Sequence, residues 1–190
     1  MNKTKDLTKK SSDFEEVAMP HLDTVYRAAI AMCSDIETAE DLTQSTMLKA
    51  FERFDTFSKG TNCKAWLLSI LRNKWIDMIR HKNIRGQVLP LDENIVADRK
   101  PEDEIKYSNC EDLLENFSDE QVIEVLKSLP AEQRFTLFLV DVEQLNHQEA
   151  AEIMNIAVGT VKSRTSRART ILKKRLFSHA KKMGFTGGKR

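Results

Sequence analysis

Large hydrophobic residues in this chain recur at steps of three and four, and no stretch rich in β-branched residues interrupts the pattern. In the first block the recurring positions are Phe14, Val17, Leu22, Val25, Tyr26, Ala29, Ile30 and Cys33. A helix turns once every 3.6 residues, so this spacing gathers those side chains on a single buried face. Glycine and proline, the residues that break helices, number only six and four in 190. These constraints point to an all-α fold.

The periodic blocks divide the chain. Residues 1–12 are polar throughout, lack the apolar core of a signal peptide, and read as a disordered arm. Pro20 lies inside the first block, which calls for a kink or a restarted helix. A second helix is expected over Glu37–Asp55, with Leu42, Leu48, Phe51 and Phe54 turned inward and acids in its first turn, next to the positive end of the helix dipole. FSKGTN reads as a loop. A third helix, from about Cys63 to Lys82, carries Leu68, Leu71, Trp75 and Ile79 on one face and Arg72, Asn73, Lys74, Asp77, Arg80 and His81 on another. Three antiparallel helices make a first domain over 13–85.

Periodicity fades over 86–118, which contains Pro90 and Pro101. So long a structureless stretch fits a linker between domains, not the interior of one. A second domain, 119–178, begins with short helices around Val122–Leu129 and Phe135–Val142. His147–Met154, a turn over Asn155–Gly159, and a long helix from Thr160 to Phe177 then form a helix-turn-helix. Residues 179–190 are a basic tail. The fold expected is thus two small helical domains joined by an acidic linker, the second containing the helix-turn-helix.

A formal net charge of +1 hides a strong segregation. Thr160–Arg190 holds eleven Lys or Arg and no acid, Lys64–Arg85 holds six bases and one acid, and Gln87–Gln121 holds eleven acids and three bases. Two basic blocks flanking an acidic one point to a nucleic-acid partner. Cys33, Cys63 and Cys110 make no CxxC pair, and the four histidines share no ligand spacing with them, so neither a metal nor a cofactor is expected and a reduced cytoplasmic setting is the simpler reading. No apolar run approaches the roughly 20 residues needed to span a bilayer, so no membrane insertion is expected.

On the last helix Val161, Thr165, Ala168, Leu172 and Leu176 share one face. Lys162, Ser163, Arg164, Ser166, Arg167, Arg169 and Lys173 flank it or point outward. Arginine bonds guanine edges in pairs while lysine and serine hold phosphates, which suits a major groove. A solvated basic face is the plainer reading; the missing acids and the preceding helix and turn weigh against it. On the third helix Lys64, Arg72, Lys74, Arg80, Lys82 and Arg85 are placed to track a phosphate backbone. Trp66 and Trp75, nine residues apart, do not share a wheel position, so one of them belongs nearer the surface, where an aromatic ring among bases suits single-stranded DNA. Trp75 sits on the apolar stripe and reads as core.

AEDLTQSTMLKAFERFDTF (Ala39–Phe57), followed by KAWLLSILRNKWIDMIR, resembles the promoter-melting domain of extracytoplasmic-function (ECF) sigma factors. SLPAEQRFTLFLVDVEQLNHQEAAEIMNIAVGTVKSRTSRAR (Ser128–Arg169) resembles their promoter-upstream-reading domain. The likeness spans nearly all of residues 14–177 in the family's order. FEEVAMPHLDTVYRAA and GTNCKAW most resemble the branch that answers thiol-oxidative stress.

The resemblance implies a transcription initiation factor with no catalytic residues of its own. Asp41, Leu42, Gln44, Leu48 and Phe51 would dock on the β′ clamp helices of core RNA polymerase, with the β flap a further contact. Ser58, Lys59, Gly60, Thr61, Asn62, Cys63 and Lys64 would form a pocket for a base flipped from the −10 element, with Trp66, Arg72, Asn73, Asp77 and Arg80 on the adjacent DNA. Flipping costs a few kcal/mol of stacking, which the pocket must recover. Thr160, Lys162, Ser163, Arg164, Ser166 and Arg167 would engage the −35 element. The acidic linker would run toward the RNA exit path, and an anti-sigma factor would be a further partner. Ser45 departs from the Glu usual in the family, which weakens one polymerase contact. Cys33 and Cys63 stand at no signature position of the family and read as buried or incidental thiols, not sensors. The two domains are expected to be held relative to one another only by polymerase.

Two rivals predict otherwise. An autonomous helix-turn-helix regulator accounts for the last helix but not for the first domain, and no self-complementary face for a dimer is evident. A DNA-acting enzyme such as a recombinase needs a nucleophile among arginines or a carboxylate metal site. Tyr26 on a buried face and Tyr107 in the acidic segment are poor candidates.

Overall fold

The computed structural model describes residues 2–33, 35–58, 60–84 and 124–182. Every regular element among them is helical. The expected acidic linker lies outside the described residues, as does most of the basic tail.

Helix α1 covers Asn2–Val17, so the arm expected to be disordered is helical instead. The reason lies at its far end. Phe14 is buried, edge-on to the rings of Phe51 and Phe54, and Lys10 pairs with Asp55 and reaches the Glu52 carbonyl at 3.3 Å. Once that end is anchored, extending a helix backward adds one hydrogen bond per residue fixed and needs no new nucleus. Pro20 lies in a 3₁₀ turn, Met19–His21. The helix restarts there as α2 (Leu22–Cys33), which buries Val25, Ala28, Ala29 and Met32.

Helix α3 (Ile36–Arg53) starts at Asp35, whose carboxylate accepts the Thr38 N–H at 2.9 Å. Its inner face is Ala39, Leu42, Thr43, Thr46 and Ala50. The two threonine hydroxyls donate to the carbonyls of Ala39 and Leu42, each at 2.7 Å, so neither is buried without a partner. Leu48, expected to face inward, is 60% exposed. Six residues at 100° each carry it well off the stripe that Leu42 defines.

A 3₁₀ turn (Phe54–Thr56) leads through a loop to α4, Cys63–Ile84. There Leu67, Leu68, Ile70, Leu71, Trp75 and Ile79 are buried, as the stripe on that helix requires. The first helix set therefore has four helices, one more than the sequence suggests.

The second set begins with a helical turn at 124–127. Helix α5 (Ala131–Leu137) follows Pro130 and widens into a π-helical turn, Phe138–Val142. Val142, at the end of the widened turn, is 49% exposed. Helix α6 (His147–Met154) opens with a capping box: the Asn146 side chain accepts the N–H groups of Gln148 and Glu149, and Glu149 accepts the Asn146 N–H. Asn155, left-handed at φ 49°, ends it. Helix α7 (Val158–Lys182) starts two residues earlier than the sequence suggests. Val161, Thr165 and Ala168 anchor it.

The two sets do not stand apart. Helix α5 packs on α2 and α6 on α4. A single apolar cluster runs from Phe14 through Leu71 and Ile79 to Phe135, Leu139, Ile153 and Val161. The expectation that only polymerase fixes the two halves is corrected accordingly: each half leaves part of an apolar face uncovered, and the two faces cover one another.

Candidate functional site

Three surfaces carry the chemistry. The first is the N-terminal half of α7. Lys162, Ser166 and Arg167 are exposed, Thr160 is half-buried, and the described length of the helix carries no acid. Thr165 is core, its hydroxyl donating to the Val161 carbonyl at 2.9 Å. Two of the expected DNA readers are less available than the sequence suggests. Ser163 donates to the Thr160 carbonyl at 3.0 Å, and Arg164 is tied to Glu132 of α5 with 19% of its side chain exposed. Arg169 forms an ion pair with Asp141, which raises the guanidinium's pKa further. Of the residues expected to read DNA, Lys162, Ser166 and Arg167 are the exposed ones.

The second surface is the loop before α4 and that helix's polar side. The Thr61 N–H and hydroxyl both bond the Ser58 carbonyl, at 3.1 and 2.8 Å, closing a tight turn. Gly60 holds φ +93° in that turn, a backbone conformation an L side chain rarely adopts. Asn62 caps α4, its side-chain oxygen accepting the Ala65 N–H at 3.0 Å. Ser58, Gly60, Thr61 and Asn62 are exposed around this turn; Lys59 lies outside the described residues.

Cys63 is buried, which agrees with its reading as a buried thiol and not with its place in the base pocket, and desolvation pushes its thiol pKa up. An apolar, protonated thiol inside the fold does not line a base pocket. Trp66 is half-buried against Phe57 (5.1 Å between ring centres) and Phe54 (6.5 Å), whereas Trp75 is core. Asn73, Asp77 and Arg80 are exposed along α4. Arg72 is half-buried and donates to the Asn73 side-chain oxygen at 3.1 Å, which fixes that amide's orientation. Burial lowers the Arg72 pKa, and the Glu132 carboxylate works against that shift. Lys64 is paired with Glu143 at 2.9 Å, so it too is engaged within the fold.

The third surface is an open apolar groove of about 690 Å³ between α2 and α3. Gln44, Leu48 and Phe51, three of the residues the resemblance assigns to polymerase docking, line it together with Phe14, Met19, Leu22, Tyr26 and Met47. Leu42 does not belong there: at 3% exposure it is a core residue, and Asp41 is exposed at the helix surface. Sequence reading missed the α1–α2 side of the groove. Met19 and Leu22 flank Pro20 and are exposed despite their apolar character; the break at that proline was the available signal.

Among the described residues no group of three His, Cys, Asp or Glu is placed to hold a metal, and no helix is long and apolar enough to cross a membrane.

Residues 17–84 match the family described as Sigma-70 region 2, and residues 119–172 match Sigma-70, region 4. The chain is 33% identical over 168 residues to the ECF RNA polymerase sigma factor SigE of Mycolicibacterium smegmatis, covering 88% of this chain but only 63% of that one. It is 30% identical to the ECF RNA polymerase sigma factor SigW of Bacillus subtilis, covering 86% and 88% of the two chains. Among solved structures, the sigma factor RpoE of Bartonella quintana, in complex with the anti-sigma factor NepR, superposes with a TM-score of 0.66 at 31% identity over 86% of this chain and 96% of that one. CnrH, solved with the cytosolic domain of CnrY, shares the fold at 19% identity, with a TM-score of 0.58 over 92% and 94% of the two chains.

Proposed function

The chain belongs to the extracytoplasmic-function family of RNA polymerase sigma factors, and on that premise we propose which of its residues perform each part of promoter recognition. Residues 13–85 act as the core-binding, −10-reading unit and 119–178 as the −35-reading unit. The α2–α3 groove takes polymerase β′ helices, with Leu48, Phe51 and Gln44 against them and Asp41 at the edge. An apolar groove flanked by polar side chains suits an amphipathic helix.

The turn at Ser58–Asn62 receives a flipped −10 base. Asn73, Asp77 and Arg80 lie against the strand next to it, and Trp66 backs the loop. Lys162, Ser166 and Arg167 read the −35 duplex from the N-terminal half of α7, the part of a recognition helix that reaches base edges. Thr160, Ser163 and Arg164 support that helix end or join it once Arg164 leaves Glu132.

The observation that carries this reading is the pairing of two separate polar helical surfaces, on α4 and α7, with an apolar groove distinct from both. An autonomous regulator has no use for the groove.

The protein acts in the cytoplasm, where its polymerase and promoters are. An anti-sigma factor is its further partner, a reading supported by the likeness to RpoE of Bartonella quintana. We assign it to stress-responsive transcription, and the finer assignment to thiol-oxidative stress rests on the FEEVAMPHLDTVYRAA and GTNCKAW segments. Cys63, buried and with its thiol pKa raised, is not the sensor in that case.

Run-off transcription with core polymerase tests the function. Promoter-dependent transcripts that need both enzyme and chain are expected. Tight operator binding by the chain alone, with no initiation, would falsify it.

A further inference from the structure

A helix leaves the carbonyls of its last turn without helical donors, and at the end of α3 several of them find different partners. The Phe51 carbonyl accepts the Phe54 N–H, and the Arg53 carbonyl accepts the Thr56 hydroxyl at 2.7 Å. Both donors lie close by in the chain. The Glu52 carbonyl instead accepts from the Lys10 ammonium of α1 at 3.3 Å, across 42 residues. The Glu52 carboxylate is occupied by Lys49 at 2.7 Å and does not compete for Lys10.

Two further contacts converge on that ammonium. It pairs with the Asp55 carboxylate in the 3₁₀ turn after α3 and lies 5.5 Å from the centre of the Phe51 ring. The Lys10 side chain is 17% exposed, against 74% for Asp55. An ion pair so open to water on one side contributes little to stability. An ammonium that meets a carbonyl, a carboxylate and an aromatic face together has another effect: it fixes residues 51, 52 and 55 relative to one another. It also sits at the negative end of the α3 dipole, which favours a cation.

Of these residues Phe51 lines the α2–α3 groove. Its half-buried ring meets Phe14 edge-on, with centres 5.3 Å apart. Phe54, by contrast, has Phe14, Phe57 and Trp66 around it, with or without Lys10. The influence of Lys10 therefore falls on the groove wall and not on the aromatic stack behind the Ser58–Asn62 turn.

We propose that Lys10 is a positioning residue for polymerase docking: by closing on the Glu52 carbonyl, Asp55 and the Phe51 ring, it holds the end of α3 so that Phe51 stands as groove wall before polymerase arrives. The docking role rests on the proposed function; the closure of α3 by Lys10 does not. Lys10 makes no contact with polymerase in this role. Its contribution is to remove the cost of ordering Phe51 on binding.

The test compares Lys10→Met, which keeps an apolar stem without the charge, and Lys10→Arg, which keeps a cation, in the full chain. Amide hydrogen exchange of the free protein reads the closure. Lys10→Met is expected to speed exchange at Phe54 and Phe57 by about three- to tenfold, the value of one partly solvated hydrogen bond, and to leave Val25–Met32 unchanged. Affinity for core polymerase, measured by fluorescence titration, should fall by about three- to tenfold in Lys10→Met. Lys10→Arg should restore both readings to within about twofold, and the rate of promoter opening at saturating chain should be the same in all three proteins.

Should circular dichroism show lost helix in Lys10→Met, Asp55→Asn removes the anionic partner from an exposed site and is expected to shift both readings the same way. Unchanged exchange in a folded variant overturns the proposal. So does faster exchange with unchanged docking while Leu48→Ala, in the same titration, docks more weakly. If Leu48→Ala itself docks like the unaltered chain, the groove assignment in the proposed function fails, and the exchange rates still decide whether Lys10 closes α3.

Discussion

Leu42 and Leu48 lie six residues apart on α3, and the sequence assigns both to polymerase docking; the structure separates them. Leu48 is 60% exposed in the open groove, whereas Leu42 is 3% exposed in the core. Burying a whole leucine side chain is worth about 1.5–3 kcal/mol, so covering the exposed 60% of Leu48 contributes about 1–2 kcal/mol to docking. At 1.4 kcal/mol per tenfold, Leu48→Ala weakens core polymerase binding by about 5–30-fold. Its effect on folding stability stays within about 0.5 kcal/mol, as is usual for exposed sites.

Leu42→Ala has the opposite profile. It leaves a cavity and costs about 2–5 kcal/mol of stability, while the folded fraction still docks with nearly unchanged affinity. Fluorescence titration of labelled variants with core polymerase, alongside urea unfolding, measures both quantities. The reasoning is refuted if Leu48→Ala docks as tightly as the unaltered chain, or if Leu42→Ala loses docking without losing stability.

Arg167→Ala is expected to lower transcription from −35-dependent promoters by about 10–100-fold, the value of one good arginine–guanine pair, with core binding intact in the same titration. Asn146→Ala removes the acceptor that holds two N–H groups at the start of α6 and should cost about 1 kcal/mol, read as a lower urea midpoint with an unchanged slope. For Cys63, burial raises the folded thiol's pKa above its unfolded value. Its contribution to stability is therefore complete below the unfolded pKa and is lost as pH rises through the folded one. Unfolding titrations across pH 7–10 should show stability falling over that window, less steeply in Cys63→Ala; equal slopes would reject the assignment.

Much of the fold is legible in the chain's periodicity. The stripe Leu68, Leu71, Trp75 and Ile79 on α4 and the anchors Val161, Thr165 and Ala168 on α7 are buried as their spacing requires. The two helices around Asn155 are where the turn chemistry puts them, because a left-handed residue is needed there and asparagine tolerates it. α1 was not legible, since residues 1–12 have no apolar face of their own and are helical by extension from Phe14. Leu48 was placed inward on its apolar character alone, although six residues of helix carry it well off the stripe that Leu42 defines. Cys63 was counted in the base pocket only as part of the loop Ser58–Lys64, and a run of consecutive residues does not say which side chains turn inward.

Local spacing determined that this chain would be helical, where its helices break, and which helix would carry a cationic face free of acids, because those properties depend on neighbours three or four residues away. What covers what was decided only in three dimensions. Glu143 meets Lys64 across 79 residues of chain and Arg134 meets Met32 across 102. No periodicity encodes such pairs, for they exist only once two apolar faces, each incomplete alone, have closed on one another and brought their polar rims into register.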